Sequence, residues 1–204
     1  MKSKSIRMRA RFWALMLVAL PLLEGCVTMG GASAIGSLAG AALEAAGLKK
    51  PENAPLEIAV AIHAGKNLNA AYGHGAAVVT KIYYLNNYET WLRMDMKTML
   101  SKDEEKTALG SDLEQVREIS LIPGRVYNSK EQLPNTIRYI GIATFFHSAY
   151  PQRWKYVFDA KEAEKTGIVL GAHACALSVT RGKAIERRDM PRHDPASLSM
   201  VRCE

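Results

Sequence analysis

The chain has 204 residues, 48% of them hydrophobic and 23% charged, with 8 Pro and 15 Gly; this balance fits one ordinary domain with extensions and excludes a disordered, collagenous or low-complexity chain. Three Cys are too few for a disulfide scaffold, and without a CxxC pair they offer no ligand set for structural zinc. The formal charge of +7 invites a nucleic-acid reading, which the placement of the charges removes.

Lys2, Lys4, Arg7, Arg9 and Arg11 precede an uncharged apolar run of 12 residues, Phe12 to Leu23, and Gly25-Cys26 follows. A basic segment, a short apolar segment and a small residue before the cut make up a secretory signal peptide, here residues 1–25. A helix that crosses a bilayer needs about 20 apolar residues, so the run is too short for a permanent span. Leu23-Glu24-Gly25-Cys26 resembles a bacterial lipobox, which makes Cys26 the expected lipidated residue; an ordinary signal peptide with an incidental cysteine is the alternative. Removing residues 1–25 takes away five positive charges and one negative, leaving +3. No basic stripe then remains for nucleic acid. Val27 stands where an Asp would mark inner-membrane retention, so by resemblance to sorted lipoproteins the expected location is the outer membrane, facing the periplasm.

Residues 26–55 read as the lipidated Cys and a flexible tether. Gly30 to Gly40 is rich in small residues, and Lys49-Lys50-Pro51-Glu52-Asn53-Ala54-Pro55 closes the segment with two prolines. A glycine-zipper helix around Gly36 and Gly40 is the competing reading.

From Leu56 the period becomes two. Leu56, Ile58, Val60 and Ile62 alternate with Glu57, Ala59, Ala61 and His63, which predicts a half-buried strand. Val78 to Leu85 is a second strand. Tyr88, Trp91, Leu92, Met96, Met99 and Leu100 then fall at three- and four-residue spacing, predicting a helical insertion over about 87–112, capped at Asn86-Asn87, with Ala108 and Leu109 as inward contacts of its second part. Gln115 to Ile122 is a strand stopped by Pro123-Gly124, with a weak strand around Arg125 to Tyr127. Ile137 to Phe146 reads as a central strand covered on both faces. Arg153 to Phe158 is another, and Ile168 to Val179 is a last strand or two short ones bent at Gly171. Seven to eight strands with short connections predict an all-β, antiparallel sandwich over residues 56–180, followed by a polar C-terminal tail over 181–204.

Catalytic motifs fail on inspection. Gly31-Ala32-Ser33-Ala34-Ile35 lacks the second Gly of a nucleophile elbow, Gly73-His74-Gly75 has Val78 where a dinucleotide loop needs its third Gly, and Gly65-Lys66 has Val60 where a P-loop needs its first. No catalytic residue, metal site or cofactor is expected. The histidines show no metal-ligand spacing, although strands could bring His63 and His173 together. With Cys26 acylated, Cys175 and Cys203 are the remaining thiols. In an oxidising compartment they are a candidate disulfide that would staple the tail, the other reading being a buried thiol and a frayed end.

Taken in order, Gly65-Lys66-Asn67-Leu68-Asn69 after the first strand, Val78-Val79-Thr80-Lys81-Ile82-Tyr83-Tyr84-Leu85, Ala108-Leu109-Gly110-Ser111-Asp112-Leu113, Arg117-Glu118-Ile119-Ser120-Leu121-Ile122-Pro123-Gly124, Arg138-Tyr139-Ile140-Gly141-Ile142-Ala143 and Arg153-Trp154-Lys155-Tyr156 resemble one family. It is the outer-membrane lipoprotein of the bacterial type VI secretion system membrane complex, the TssJ (VasD/SciN) family, and the resemblance spans about residues 56–180. It implies a transthyretin-like β-sandwich with a small helical addition. It also implies a partner, the periplasmic C-terminal domain of the large inner-membrane component, bound through loops including the one after the first strand. The loop Gly65 to Ala76 is longer than a strand connection needs, and Lys66, Asn67, Leu68, Asn69, Tyr72 and His74 are its candidate partner-binding residues, with Tyr72 as aromatic anchor. The competing function is a periplasmic ligand-binding lipoprotein, whose aromatic platform would be drawn from Trp91, Trp154 and Tyr150. A hydrolase on the same scaffold would need a His-rich site.

Overall fold

The alternation of Leu56, Ile58, Val60 and Ile62 with Glu57, Ala59, Ala61 and His63 makes a strand, β1 (Leu56–Ala64), whose four aliphatic side chains are buried. The computed structural model describes residues 51, 53–70, 74–186 and 194–203. Cys26, the tether up to residue 50, and Tyr72 lie outside them. After β1 come β2 (Val78–Leu85), three short helices α1 (Glu89–Arg93), α2 (Met96–Leu100) and α3 (Lys102–Leu109), and a 3-10 turn (Gly110–Asp112). Then follow β3 (Leu113–Leu121), β4 (Val126–Leu133), β5 (Tyr139–Thr144), β6 (Lys155–Asp159), α4 (Ala160–Thr166), β7 (Ile168–Ala172), β8 (Leu177–Arg181) and the two-residue β9 (Ala184–Ile185).

The strands form two sheets, ordered β4-β1-β7-β8 and β3-β2-β5-β6-β9. Their inner faces share one core, with Ile58, Ile62 and Leu170 from the first meeting Ile82, Ile140, Ile142 and Phe158 from the second. This is the all-β sandwich expected from the sequence. Among the described strands the one departure from antiparallel pairing is β1 with β7, which are parallel from Val60↔Ile168 to Ala64↔Ala172. The cause is α4, absent from the sequence reading. It carries the chain from β6 back beside the start of β1, where Glu164 accepts from Glu57 N (3.2 Å), so β7 enters running the same way as β1.

The five-stranded sheet is covered on its outer face too. Tyr83, Leu85, Ala143 and Val157 pack there against Trp91, Met99 and Leu109 of the helical insertion. Gly141 makes the room: a Cβ on it would lie 2.7 Å from the Trp91 ring. Lys155 Nζ donates to Trp91 O (2.7 Å) and Met94 O (2.6 Å) and holds the insertion to β6. The inward contacts differ from those predicted: Leu100 and Ala108 are exposed, and Glu105 is buried beside Leu109. The reason is local. Asp95 caps α2 (to Thr98 N, 2.8 Å) and Ser101 caps α3 (to Glu104 N, 3.5 Å), so the helical phase restarts twice and one continuous stripe does not hold.

β4 is an eight-residue strand where the sequence showed only a weak three-residue one. Residues past 180 also belong to the sandwich, through β9 on β6 and through Val179 N donating to Pro195 O (2.9 Å). No helix among the described residues is long and apolar enough to cross a membrane.

Candidate functional site

Beyond Ala64 the chain forms a loop that is bonded to three of its neighbours. Gly65 N donates to Ala172 O (2.8 Å), and Gly65 O accepts from Leu68 N (3.0 Å) and from Gly124 N (3.2 Å), tying the loop to the end of β7 and to the Pro123-Gly124 turn. Asn69 then joins two further loops. Its backbone N donates to His173 O (3.0 Å), its Oδ1 accepts from His147 N (2.7 Å), and its Nδ2 donates to Ala77 O (3.3 Å). The backbone there has φ +47°, a left-handed conformation that Asn tolerates. Ala70 N donates to Ala174 O (3.1 Å). Gly75 closes the loop against its own start, since a Cβ would sit 2.3 Å from Lys66 O.

Of the residues singled out in this loop, Lys66, Asn67 and His74 are exposed and Asn69 is half-buried. Leu68 is corrected. It is fully buried within the sandwich core, because the Gly65–Leu68 turn points it inward, so it anchors the loop and does not lie on the surface beside the other candidates. Tyr72 lies outside the described residues.

The tail is attached at the same end. Cys175 and Cys203 are disulfide-bonded with Cα atoms 5.6 Å apart. Tyr150 N donates to Cys175 O (2.8 Å) and its hydroxyl to Met200 O (3.2 Å). Arg153, buried, donates to Asp194 O (2.9 Å), Ser197 O (3.1 Å) and the Tyr156 hydroxyl (3.1 Å). The sequence showed Arg153 only as the start of a strand; nothing in its neighbours signals that a guanidinium will order a segment some forty residues on.

His173 Nε2 and Ser178 Oγ are hydrogen-bonded at 3.0 Å, and burial holds the imidazole below its usual range. Among the described residues no group of three or more His, Cys, Asp or Glu could hold a metal ion. The three aromatic residues considered for a ligand platform do not share an exposed face. Trp91 is fully buried, the Tyr150 hydroxyl is bonded to the tail, and Trp154 lies under the Lys155 ammonium at 4.9 Å. Trp154 does line a cleft of about 310 Å³ with Leu92, Met94, Tyr156, Ile185 and Pro195.

Two sheets around one core, a helical cover on one outer face and a bonded cluster of loops at one end define a β-sandwich module. The same architecture appears in the type VI secretion lipoprotein TssJ1 from Pseudomonas aeruginosa, with TM-score 0.56, 22% identity, and 64% of this chain and 99% of that one covered. It appears in a chain of a type VI membrane complex (TM-score 0.55, 20% identity, 60% and 96% covered). It appears again in Serratia marcescens Lip, described as a membrane-bound component of the type VI secretion system (TM-score 0.52, 18% identity, 66% and 99% covered). These likenesses establish the fold. The family model described as type VI secretion lipoprotein, VasD, EvfM, TssJ matches residues 56–175, and the chain belongs to that family. No curated protein matches the chain by sequence.

Proposed function

We propose that this protein is a non-enzymatic outer-membrane lipoprotein that anchors the trans-envelope membrane complex of the type VI secretion system. Acyl chains on Cys26 hold it to the outer membrane, each buried CH₂ contributing about 0.8 kcal/mol, and the loop end of the sandwich binds the periplasmic C-terminal domain of the large inner-membrane component. The observation that supports this reading is the bonding of three loops by Asn69. A surface ordered before binding loses less entropy on docking than a loose one.

The test separates anchor from domain. Cys26→Ser protein should fold, remain free in the periplasm and fail to support secretion, while still capturing the partner's periplasmic domain in a pull-down. Cys26→Ser protein that still sediments with outer membrane by itself removes the anchor, and wild-type protein that fails to capture that domain removes the partner.

A further inference from the structure

The loop end has a charge pattern that no single loop shows. Gly65 meets Gly124 and Ala64 meets Arg125 through backbone hydrogen bonds, Asn69 reaches His147 and His173, and Tyr150 reaches Cys175 and Met200. The segments so joined are 64–70, 74–78, 121–126, 145–153, 172–177 and 194–203. Asp194 is the one Asp or Glu among these described residues, although 20 of the 204 residues are acidic. They carry Lys66, Arg125 and Arg202, all exposed, and Gly124 lies under the Lys66 side chain, where a Cβ would be 3.7 Å from its Cγ. Asp194, at the head of the tail, uses its carboxylate on Ala196 N (3.0 Å). Other exposed acids among the described residues lie outside these segments, among them Glu89, Asp95, Asp103 and Glu104 on the helical insertion, Glu114 and Glu118 on β3 and Glu162 on α4.

We infer that the surface this end receives is acidic: a carboxylate-bearing patch on the protein partner, met by Lys66, Arg125 and Arg202. The inference rests on the partner reading above. Like charge with no ion-pair partner among the described residues, the Arg202 guanidinium donating only to Ser199 O and Val201 O, steers and orients an oppositely charged partner. Arg202 stands beyond residue 175, where the family match stops, so the stapled tail adds a contact outside the shared domain. Anionic lipid is the other acidic surface of the envelope, but lipid recognition relies on runs of about 4–8 basic side chains. Three cations spread over three loops and separated by neutral groups fit a shaped protein patch better.

The full-length lipidated protein in detergent is titrated by calorimetry with the inner-membrane component's periplasmic domain, at about 0.05 M and about 0.5 M salt, which span weak and strong screening. Wild-type affinity should fall about tenfold between the two. Lys66→Glu, Arg125→Glu and Arg202→Glu together should weaken binding at least about tenfold at low salt, while Lys97→Glu, Lys102→Glu and Lys106→Glu on the helices, an equal change of charge, should not. Unchanged near-ultraviolet circular dichroism checks folding, and single Arg202→Gln, expected to weaken binding by a smaller factor, guards against collapse of the triple variant. Wild-type binding that ignores salt and the loop-end triple overturns the acidic patch and leaves the partner reading standing. No wild-type binding at either salt overturns both. Loss of adhesion to anionic phospholipid vesicles in the loop-end triple, with partner affinity unchanged, assigns the cations to lipid and overturns the inference.

Discussion

Lys81 and Glu105 form a buried ion pair across the seam between β2 and α3. Lys81 Nζ lies 3.0 and 3.1 Å from the two carboxylate oxygens and also donates to Met99 O at 2.6 Å, and the Tyr83 hydroxyl donates to the same carboxylate. Burial, then the hydrogen bond to Glu105, pushes the Tyr83 phenol far above its ordinary range, so it stays a donor at any pH at which the domain folds. Two charges removed from water cost more than their attraction returns unless every remaining donor and acceptor is met; here Met99 O and Tyr83 complete the set. The pair therefore fixes where the helical insertion sits.

Breaking the pair from one side should cost most. Glu105→Ala leaves a buried ammonium and should lower unfolding free energy by about 3–5 kcal/mol, whereas Lys81→Met with Glu105→Leu should cost clearly less than that single change. Chemical denaturation of these two variants, with single Lys81→Met and single Glu105→Leu to close the cycle, decides it, and single costs that simply add in the double would show that the pair is not a unit.

Gly141 and Trp91 should be coupled in the same way. An alanine at 141 must displace the indole from 2.7 Å, so Gly141→Ala should destabilise by about 1–3 kcal/mol through overpacking. In a Trp91→Leu background, itself costly through lost burial, the same alanine should cost much less. Equal cost in both backgrounds would place the strain elsewhere.

How legible these features were depended on whether the signal was apolar. The bounds of β2 follow from its run of β-branched and aromatic residues, and the start of β1 from its alternation. β4 was nearly invisible because Asn128, Ser129, Lys130, Glu131 and Gln132 read as a loop. Its inward Glu131 is met across the sandwich by Tyr84 (2.6 Å) and Arg117, partners that no local pattern reveals. α4 did have a readable signature in Asp159, whose carboxylate caps Glu162 N (2.9 Å), and in Gly167 at its end with φ +71°. Only its seven-residue length hid it. The loop cluster was legible as a polar, Gly-rich stretch, but the burial of Leu68 was not, since one leucine in such a stretch has no period to place it.

His173 gives the domain a pH dependence of definite sign. Its folded-state value lies below the ordinary 6.5 because burial disfavours the imidazolium, so the unfolded chain takes up the proton first as pH falls. Its contribution is complete above about pH 6.5 and is lost as pH drops through the folded-state value. His173→Gln should flatten the fall of the unfolding midpoint between about pH 7 and 5. A slope identical to wild type would assign the dependence to other groups.

The tail's attachment is tested by thiol chemistry. Purified protein carrying Cys26→Ser, unfolded without reductant, should show no free thiol, and two after reduction. The disulfide spans 28 residues, a loop whose closure stabilises by about 3.5 kcal/mol in the chain-entropy model. Cys203→Ser should therefore lower stability by a comparable amount, and two free thiols before reduction would refute the pairing.

Leu68 and Asn69 are neighbours with opposite expected signatures. Leu68 has no exposed surface, so Leu68→Ala should cost about 2–5 kcal/mol of stability through the cavity it leaves; any loop deletion that removes it will unfold the domain before it reports on binding. Asn69→Gly keeps the left-handed backbone and removes the bonds to His147 N and Ala77 O. It should cost only about 1 kcal/mol of stability, yet release the loop around His147 from this one while the backbone bonds to His173 and Ala174 stay, and weaken partner affinity about tenfold, or about 1.4 kcal/mol. Tyr72→Ala, if that side chain is the anchor, should reduce affinity by at least as much with no change in the unfolding midpoint. Calorimetry beside thermal unfolding reads both quantities on each variant. Affinity that tracks stability across all three would mean that the loop only supports the sandwich, and full affinity in both Asn69→Gly and Tyr72→Ala would move the binding surface to Ser148–Gln152, which the tail already contacts through Tyr150.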